Sequence, residues 1–193
     1  MHRSKLIAFA AATSALLAVG LGGNAHAATP ASGTAVISES NTFLQQAALS
    51  GIVAVPLPSA TAAYSSSTGL SATFPVTGGT ASLTVLYGSI QLGGSLLLVD
   101  AGTGRAVTFG QLAFDVDTFQ ITGVPQGSTT PVALLDPAGD LSVVPSGAVQ
   151  TFQASDLDVD PAGAQYLDAQ LRTGFFSGGQ SVGSLTVNFT PAS

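Results

Sequence analysis

Cysteine and tryptophan are absent from this 193-residue sequence, and only four residues are Lys or Arg. Without Cys there is neither a disulfide nor a thiolate nucleophile, so packing alone has to hold the fold. Four cations against ten acids, with a net charge of −6, leave no cluster of bases to meet phosphates, which excludes electrostatic binding of nucleic acid. Charged residues make up only 7% of the chain and hydrophobic ones 46%. That is too apolar for a disordered chain, and the length suits one domain.

The N-terminal segment has the order of an export signal. Met1-His2-Arg3-Ser4-Lys5 is cationic, Leu6 to Val19 is apolar and Ala-rich, and Ala25-His26-Ala27 is a small-x-small cleavage site. The apolar run is shorter than the roughly 20 residues a spanning helix needs. Export with cleavage after Ala27 is therefore expected, placing the product outside the cell or at its surface. No later apolar stretch is long and uninterrupted enough to span a bilayer, so no transmembrane segment is expected after cleavage.

Beyond residue 27 the chemical inventory shrinks further, because every His, Lys and Met lies in residues 1–27. Arg105 and Arg172 are the only bases left, against all ten acids. A Ser-His-Asp or Cys-His system needs an imidazole to take and return a proton, so such hydrolases are excluded. Zinc and copper sites built from imidazole or thiolate fall away too, as does Schiff-base chemistry on Lys.

Residues 28–33 read as a short flexible leader. A strand over Thr34 to Ile37 follows, then a helix from about Ser40 to Leu49 with Gly51 placed to end it. Ile52 to Leu57 is extended. From Leu70 to Thr151 short β-branched or aromatic runs recur between turn residues, as in a sandwich or barrel. Candidate strands include Ser71 to Val76, Ala81 to Tyr87, Gly88 to Leu92, Ser95 to Val99, Arg105 to Phe109, Gln111 to Asp115, Asp117 to Thr122, Pro131 to Leu135 and Ala148 to Phe152. Turn chemistry at residues 100–104 and 136–140 predicts hairpin loops. Asp160-Pro161 predicts the start of a second helix and Gly174 its end, before a last strand over Ser184 to Phe189.

Asp115 and Asp117 form one pair of acids, and Asp156, Asp158 and Asp160 form a run. Alternate strand positions share a face, so either group could present carboxylates to a hard cation such as Ca²⁺. The plainer alternative is solvent-facing Asp on strands, with Asp160 as a helix cap. Paired carboxylates also leave a glycosidase open, although the chain has no Trp and three Tyr to stack on sugar rings. Those three, Tyr64, Tyr87 and Tyr166, matter for another reason, since a phenolate can ligate haem iron where no His is available.

Three segments carry a family resemblance: Leu49-Ser-Gly-Ile-Val-Ala-Val-Pro56, Ala72-Thr-Phe-Pro-Val-Thr-Gly-Gly79 and Tyr87-Gly-Ser-Ile-Gln-Leu-Gly-Gly94. A fourth is Leu167-Asp-Ala-Gln-Leu-Arg-Thr-Gly-Phe-Phe176, running on to Gly183. Together they resemble secreted actinobacterial domains related to the corynebacterial haem-uptake (HtaA-type) family, over Thr34 to Thr190. The resemblance implies a β-rich extracellular domain, in some relatives binding haem through Tyr and His. The family's haem-binding members open with a Trp-Gly pair and a Tyr. Here the equivalent helix, residues 41–49, has neither, so none of the family's ligand positions carries over.

The sequence thus predicts an all-β fold, a single antiparallel sandwich-like or barrel-like domain over residues 34–193 with two short peripheral helices. The expected function is a secreted, non-enzymatic extracellular or cell-envelope module for binding or structure, without a resident cofactor. Its partner would be a cell-envelope component, another secreted protein or a further copy of itself. Haem binding through Tyr64, Tyr87 or Tyr166 is the alternative reading, and a carboxylate-dependent glycosidase is the third.

Overall fold

The computed structural model describes residues 28–65 and 69–193. The export leader expected over residues 1–27 lies outside the described residues. β1 (Ser32–Glu39) leads into α1 (Asn41–Leu49), followed by β2 (Ile52–Leu57), β3 (Thr61–Ser65), β4 (Gly69–Ser82), β5 (Tyr87–Leu92) and β6 (Ser95–Asp100). Next come β7 (Arg105–Asp115), β8 (Gln120–Pro125) and a long hairpin of β9 (Val132–Ser146) and β10 (Val149–Val159). α2 (Pro161–Leu171) and β11 (Ser181–Thr190) complete the order.

Eight strands, in the order β7-β5-β4-β1-β11-β10-β9-β8, form a closed antiparallel barrel because β8 pairs back onto β7. An eight-stranded barrel has an interior just wide enough for side chains to fill. Period-two alternation supplies that filling: Leu185, Val187 and Phe189 of β11 and Phe152 and Ala154 of β10 are all buried. The sheet also carries a wing, β2 and β6, outside the barrel. The Ala113–Asp115 half of β7 pairs with β5, whereas Arg105–Phe109 pairs with β6, which in turn pairs with β2. A bulge between Gly110 and Ala113, with Gln111 at φ 47°, marks the division between the two halves.

Both helices sit at the end of the barrel where β1 and β10 finish and β11 begins. α1 packs against β2 and β11, and α2 against β9 and β7. Ser40 caps α1 by accepting from the Phe43 N–H at 3.1 Å, and Phe43 and Ala47 are its buried residues. Asp160 caps α2, accepting from the Ala162 and Gly163 N–H groups at 2.6 and 3.2 Å, and Pro161 occupies the first turn. A Cβ at Gly163 would lie 2.6 Å from the Ala133 carbonyl oxygen, so glycine is what lets α2 press onto β9.

Several boundaries differ from the sequence expectation. The predicted hairpin loop over residues 136–140 lies inside β9. Pro137 is buried, Gly139 takes φ 71°, and the Asp140 N–H bonds Ser155 Oγ at 2.8 Å, so the Pro and Gly produce a bulge and the chain reverses later, near Gly147. The strand expected over Ala81 to Tyr87 stops at Ser82, and residues 83–86 form a turn that buries Leu83. Residues 116–119 are likewise a turn, so β8 starts at Gln120. Arg172, in the left-handed conformation at φ 56°, ends α2 ahead of Gly174. β1 takes in Ser32 and Gly33, and Thr29 exchanges backbone hydrogen bonds of 2.8 and 3.1 Å with Ser193.

Candidate functional site

A cavity of about 80 Å³ lies between the barrel mouth, the wing and the helices. The barrel contributes Ile37, Ala72, Phe74, Leu134 and Val159, and the wing contributes Ala54, Leu96 and Leu98. Phe43 of α1, Leu167 of α2 and Phe176 cover it from the helical side. Phe43 meets Phe175 with ring centroids 5.8 Å apart, and Phe175 stands edge-on to Phe176 at 4.9 Å, so an aromatic cluster closes the far wall.

One charged residue lines this apolar space. On β1 the inward alternation runs Ala35, Ile37, Glu39, which brings the carboxylate to the barrel mouth. Glu39 is half-buried, and burial pushes its carboxyl above the usual range because desolvation disfavours the charged form. Its carboxylate has no hydrogen-bond or ion-pair partner among the described residues. Of the two remaining bases, Arg105 donates from Nη1 to the Gln170 carbonyl at 3.0 Å.

Glu39 also borders a second, polar depression. Ser38, Ser40, Ser155, Asp156, Ser181 and Ser184 line this groove. Ser181 Oγ donates to Asp156 Oδ1 at 2.5 Å, and the Leu157 N–H donates to the same oxygen at 2.9 Å. The groove is thus rich in hydroxyls and acidic, and its Ser38 and Ser184, paired across β1 and β11, lie on the face opposite the inward Ile37 and Glu39.

The residues singled out from sequence are dispersed. Tyr64 on β3 and Tyr87 on β5 are 78% and 54% exposed. Tyr166 on α2 is half-buried, its ring edge-on to Phe109 at 5.8 Å. None of the three lines the cavity. Asp115 Oδ1 accepts from the Thr118 N–H at 3.0 Å and Asp117 Oδ2 from the Gly88 N–H at 3.1 Å, so both bind backbone amides around turns. Asp156 and Asp158 do share an outward face. The charge of Asp156, second to burial, raises the Asp158 carboxyl. Asp160 turns inward, only 6% exposed, as the cap of α2, and its Oδ2 accepts from Gln120 Nε2 at 3.1 Å. Among the described residues no group of three or more His, Cys, Asp or Glu is placed to hold a metal ion.

Sequence reasoning missed Glu39 and Asp136. Glu39 is the only Glu in the chain and continues the Ala35, Ile37 alternation, a signal that was there to be read. Asp136 had no such signal, because it was expected in a loop. It stands opposite Asp158 in the β9–β10 ladder. Its Oδ1 is buried without a partner, and burial and then the Asp160 charge raise its carboxyl.

The sequence matches no protein-family model and no curated protein. Similarity lies in the architecture. The crystal structure of the C-terminal domain of HtaA from Corynebacterium glutamicum aligns with a TM-score of 0.57 over 86% of this chain and 100% of that one, at 11% identity. The chain has an HtaA-type fold. The heme binding protein HtaB from the same organism aligns with a TM-score of 0.46 and 14% identity, over 85% of this chain and 94% of its own. The HtaA-type resemblance read from the sequence thus holds at the level of fold, and identity this low carries no residue role across. No helix among the described residues is long and apolar enough to cross a membrane.

The cavity suits haem poorly. An engineered cavity of about 150 Å³ is filled by benzene alone, whereas this one holds about 80 Å³ and offers no Tyr, His, Cys or Met to an iron atom.

Proposed function

We propose that the protein is a non-enzymatic binding module, working outside the cell, that holds a short aliphatic group in the cavity between the barrel mouth and the helices. The observation that carries this is the cavity: apolar throughout except for Glu39, and set where the helices cover the barrel. Work outside the cell rests on the export pattern in residues 1–27. The non-enzymatic reading rests on residues 28–193 having no His, Cys or Lys for imidazole, thiolate or Schiff-base chemistry, and on Glu39 standing in the cavity without the second carboxylate that glycoside hydrolysis needs.

The test is a titration of the purified protein with n-butanol, followed by the amide shifts of the lining residues in NMR spectra. Saturable shifts confined to the cavity are expected. Ala72→Leu, which puts three more carbons into the space from a residue 7% exposed, should abolish them. It should leave stability unchanged or raise it by up to about 1 kcal/mol, since it fills an existing void instead of overpacking a full core. Shifts scattered over the whole barrel, or unaltered by Ala72→Leu, would overturn the reading. Haemin titrated in parallel tests the alternative: a saturable Soret band lost on changing Tyr64, Tyr87 or Tyr166 to Phe would favour haem carried elsewhere on the surface.

A further inference from the structure

Glu39 bears on the chemistry of the ligand's other end. An apolar cavity alone would take any small hydrocarbon. This one has a half-buried carboxylate at its mouth that no side chain of the described residues neutralises. Burying or half-burying a carboxylate is unfavourable unless an opposite charge or donors compensate. The described residues supply none, and the two bases beyond residue 27 are Arg105, bonded to Gln170, and Arg172, at the end of α2.

We infer that the cavity with its Glu39 carboxylate is a site for an amphiphile with a short aliphatic portion and a cationic, hydrogen-bond-donating head, and that Glu39 pairs with the head. The inference rests on the proposed binding function and adds the ligand class to it. An ammonium group has three donors and no acceptor, so it can give one of them to the Glu39 carboxylate. Its alkyl chain points the other way, toward Leu96, Leu98 and Phe176. A carboxylate head would be repelled by Glu39, and a neutral alcohol would forgo the charge-assisted bond, which is about twice as strong as a neutral one.

The experiment compares three probes of equal chain length, n-butylammonium, n-butanol and butyrate, by NMR titration at neutral pH. The expected order is ammonium first, by about tenfold or more over the alcohol, with butyrate weakest. Glu39→Gln should bring the ammonium down to the level of the alcohol while leaving alcohol binding intact, and the intact alcohol binding certifies that the variant is folded. Equal binding of all three heads, or an ammonium preference that survives Glu39→Gln, would sink the assignment of Glu39 and leave the aliphatic site standing. Failure of every probe to bind would remove both. Should Glu39→Gln not fold, the wild-type order of the three heads still decides.

Discussion

The barrel body and its helix-covered end are built from the same strands, yet they are packed on opposite principles. In the body Phe114 and Phe152 meet at 5.2 Å and Phe119 and Phe152 at 5.9 Å, while Phe189, Leu83, Ile90 and Leu185 are at most 1% exposed. At the covered end alanines, aliphatic side chains and the rings of Phe43, Phe74 and Phe176 leave about 80 Å³ unfilled around a carboxylate. At about 24 cal/mol per Å³, a void of that size forgoes about 2 kcal/mol. A barrel that packs its body with phenylalanine has the side chains to close such a gap. The contrast argues that the body serves stability and the covered end serves binding.

The largest break in that contrast comes from emptying the body. Phe152→Ala removes the ring that joins Phe114 to Phe119 and should cost about 3–5 kcal/mol, read as a shift in the denaturant midpoint. If the cost were below about 1 kcal/mol, the body would be no better packed than the covered end. Gly163→Ala should cost less, about 1–3 kcal/mol, because the new Cβ meets the Ala133 carbonyl oxygen at 2.6 Å and pushes α2 off β9. Part of that is offset by alanine's better helix propensity, worth about 1 kcal/mol. Amide hydrogen exchange should speed up in α2 and spare the β4–β5 hairpin. Uniform acceleration would mean that the two ends do not open separately.

How much of this could be read in advance differs between the two regions as well. The body was legible because short β-branched and aromatic runs, such as Ser184 to Phe189, recur between the Gly and Pro that punctuate the strands. Both helices were legible through their caps, Ser40 and Asp160. What alternation cannot reveal is closure: that β8 returns to β7, or that β7 leaves the barrel halfway, depends on a bulge at Gln111 with no local signature. Turn chemistry misled at residues 136–140, since the same Pro and Gly serve a bulge as readily as a reversal. The site was the least legible part. Its walls come from β1, β2, β4, β6, β9, β10, β11, both helices and Phe176, so no short stretch of sequence contains it. Of the residues that look chemical when read along the chain, the tyrosines lie apart, Asp115 and Asp117 bind backbone amides and Asp160 caps α2, while Asp156 and Asp158 share a face.

The smallest expected effect asks whether the covered end carries an electrostatic cost in addition to its void. Asp136 sits opposite Asp158 and close to the α2 cap, with one carboxyl oxygen buried and unpartnered. Like charges facing across an antiparallel pair are destabilising, and burial, then the Asp160 charge, raise the folded carboxyl above the ordinary 3.8. A carboxyl raised in the folded state favours folding while it is protonated. That contribution is complete below the unfolded value, and it is lost as pH rises through the folded one. At pH 7 the charged Asp136 therefore works against the fold. Asp136→Asn removes the charge, keeps the shape and offers an amide donor to Asp160. It should raise stability at pH 7 by about 1 kcal/mol or less, and the gain over wild type should disappear as the pH falls below 3.8. Denaturant midpoints of the two proteins, compared at pH 7 and pH 3, measure the difference directly. A gain that persists in acid would trace the effect to the amide's hydrogen bonds, and a loss at both pH values would show that the carboxylate is compensated and that the covered end differs from the body by its void alone.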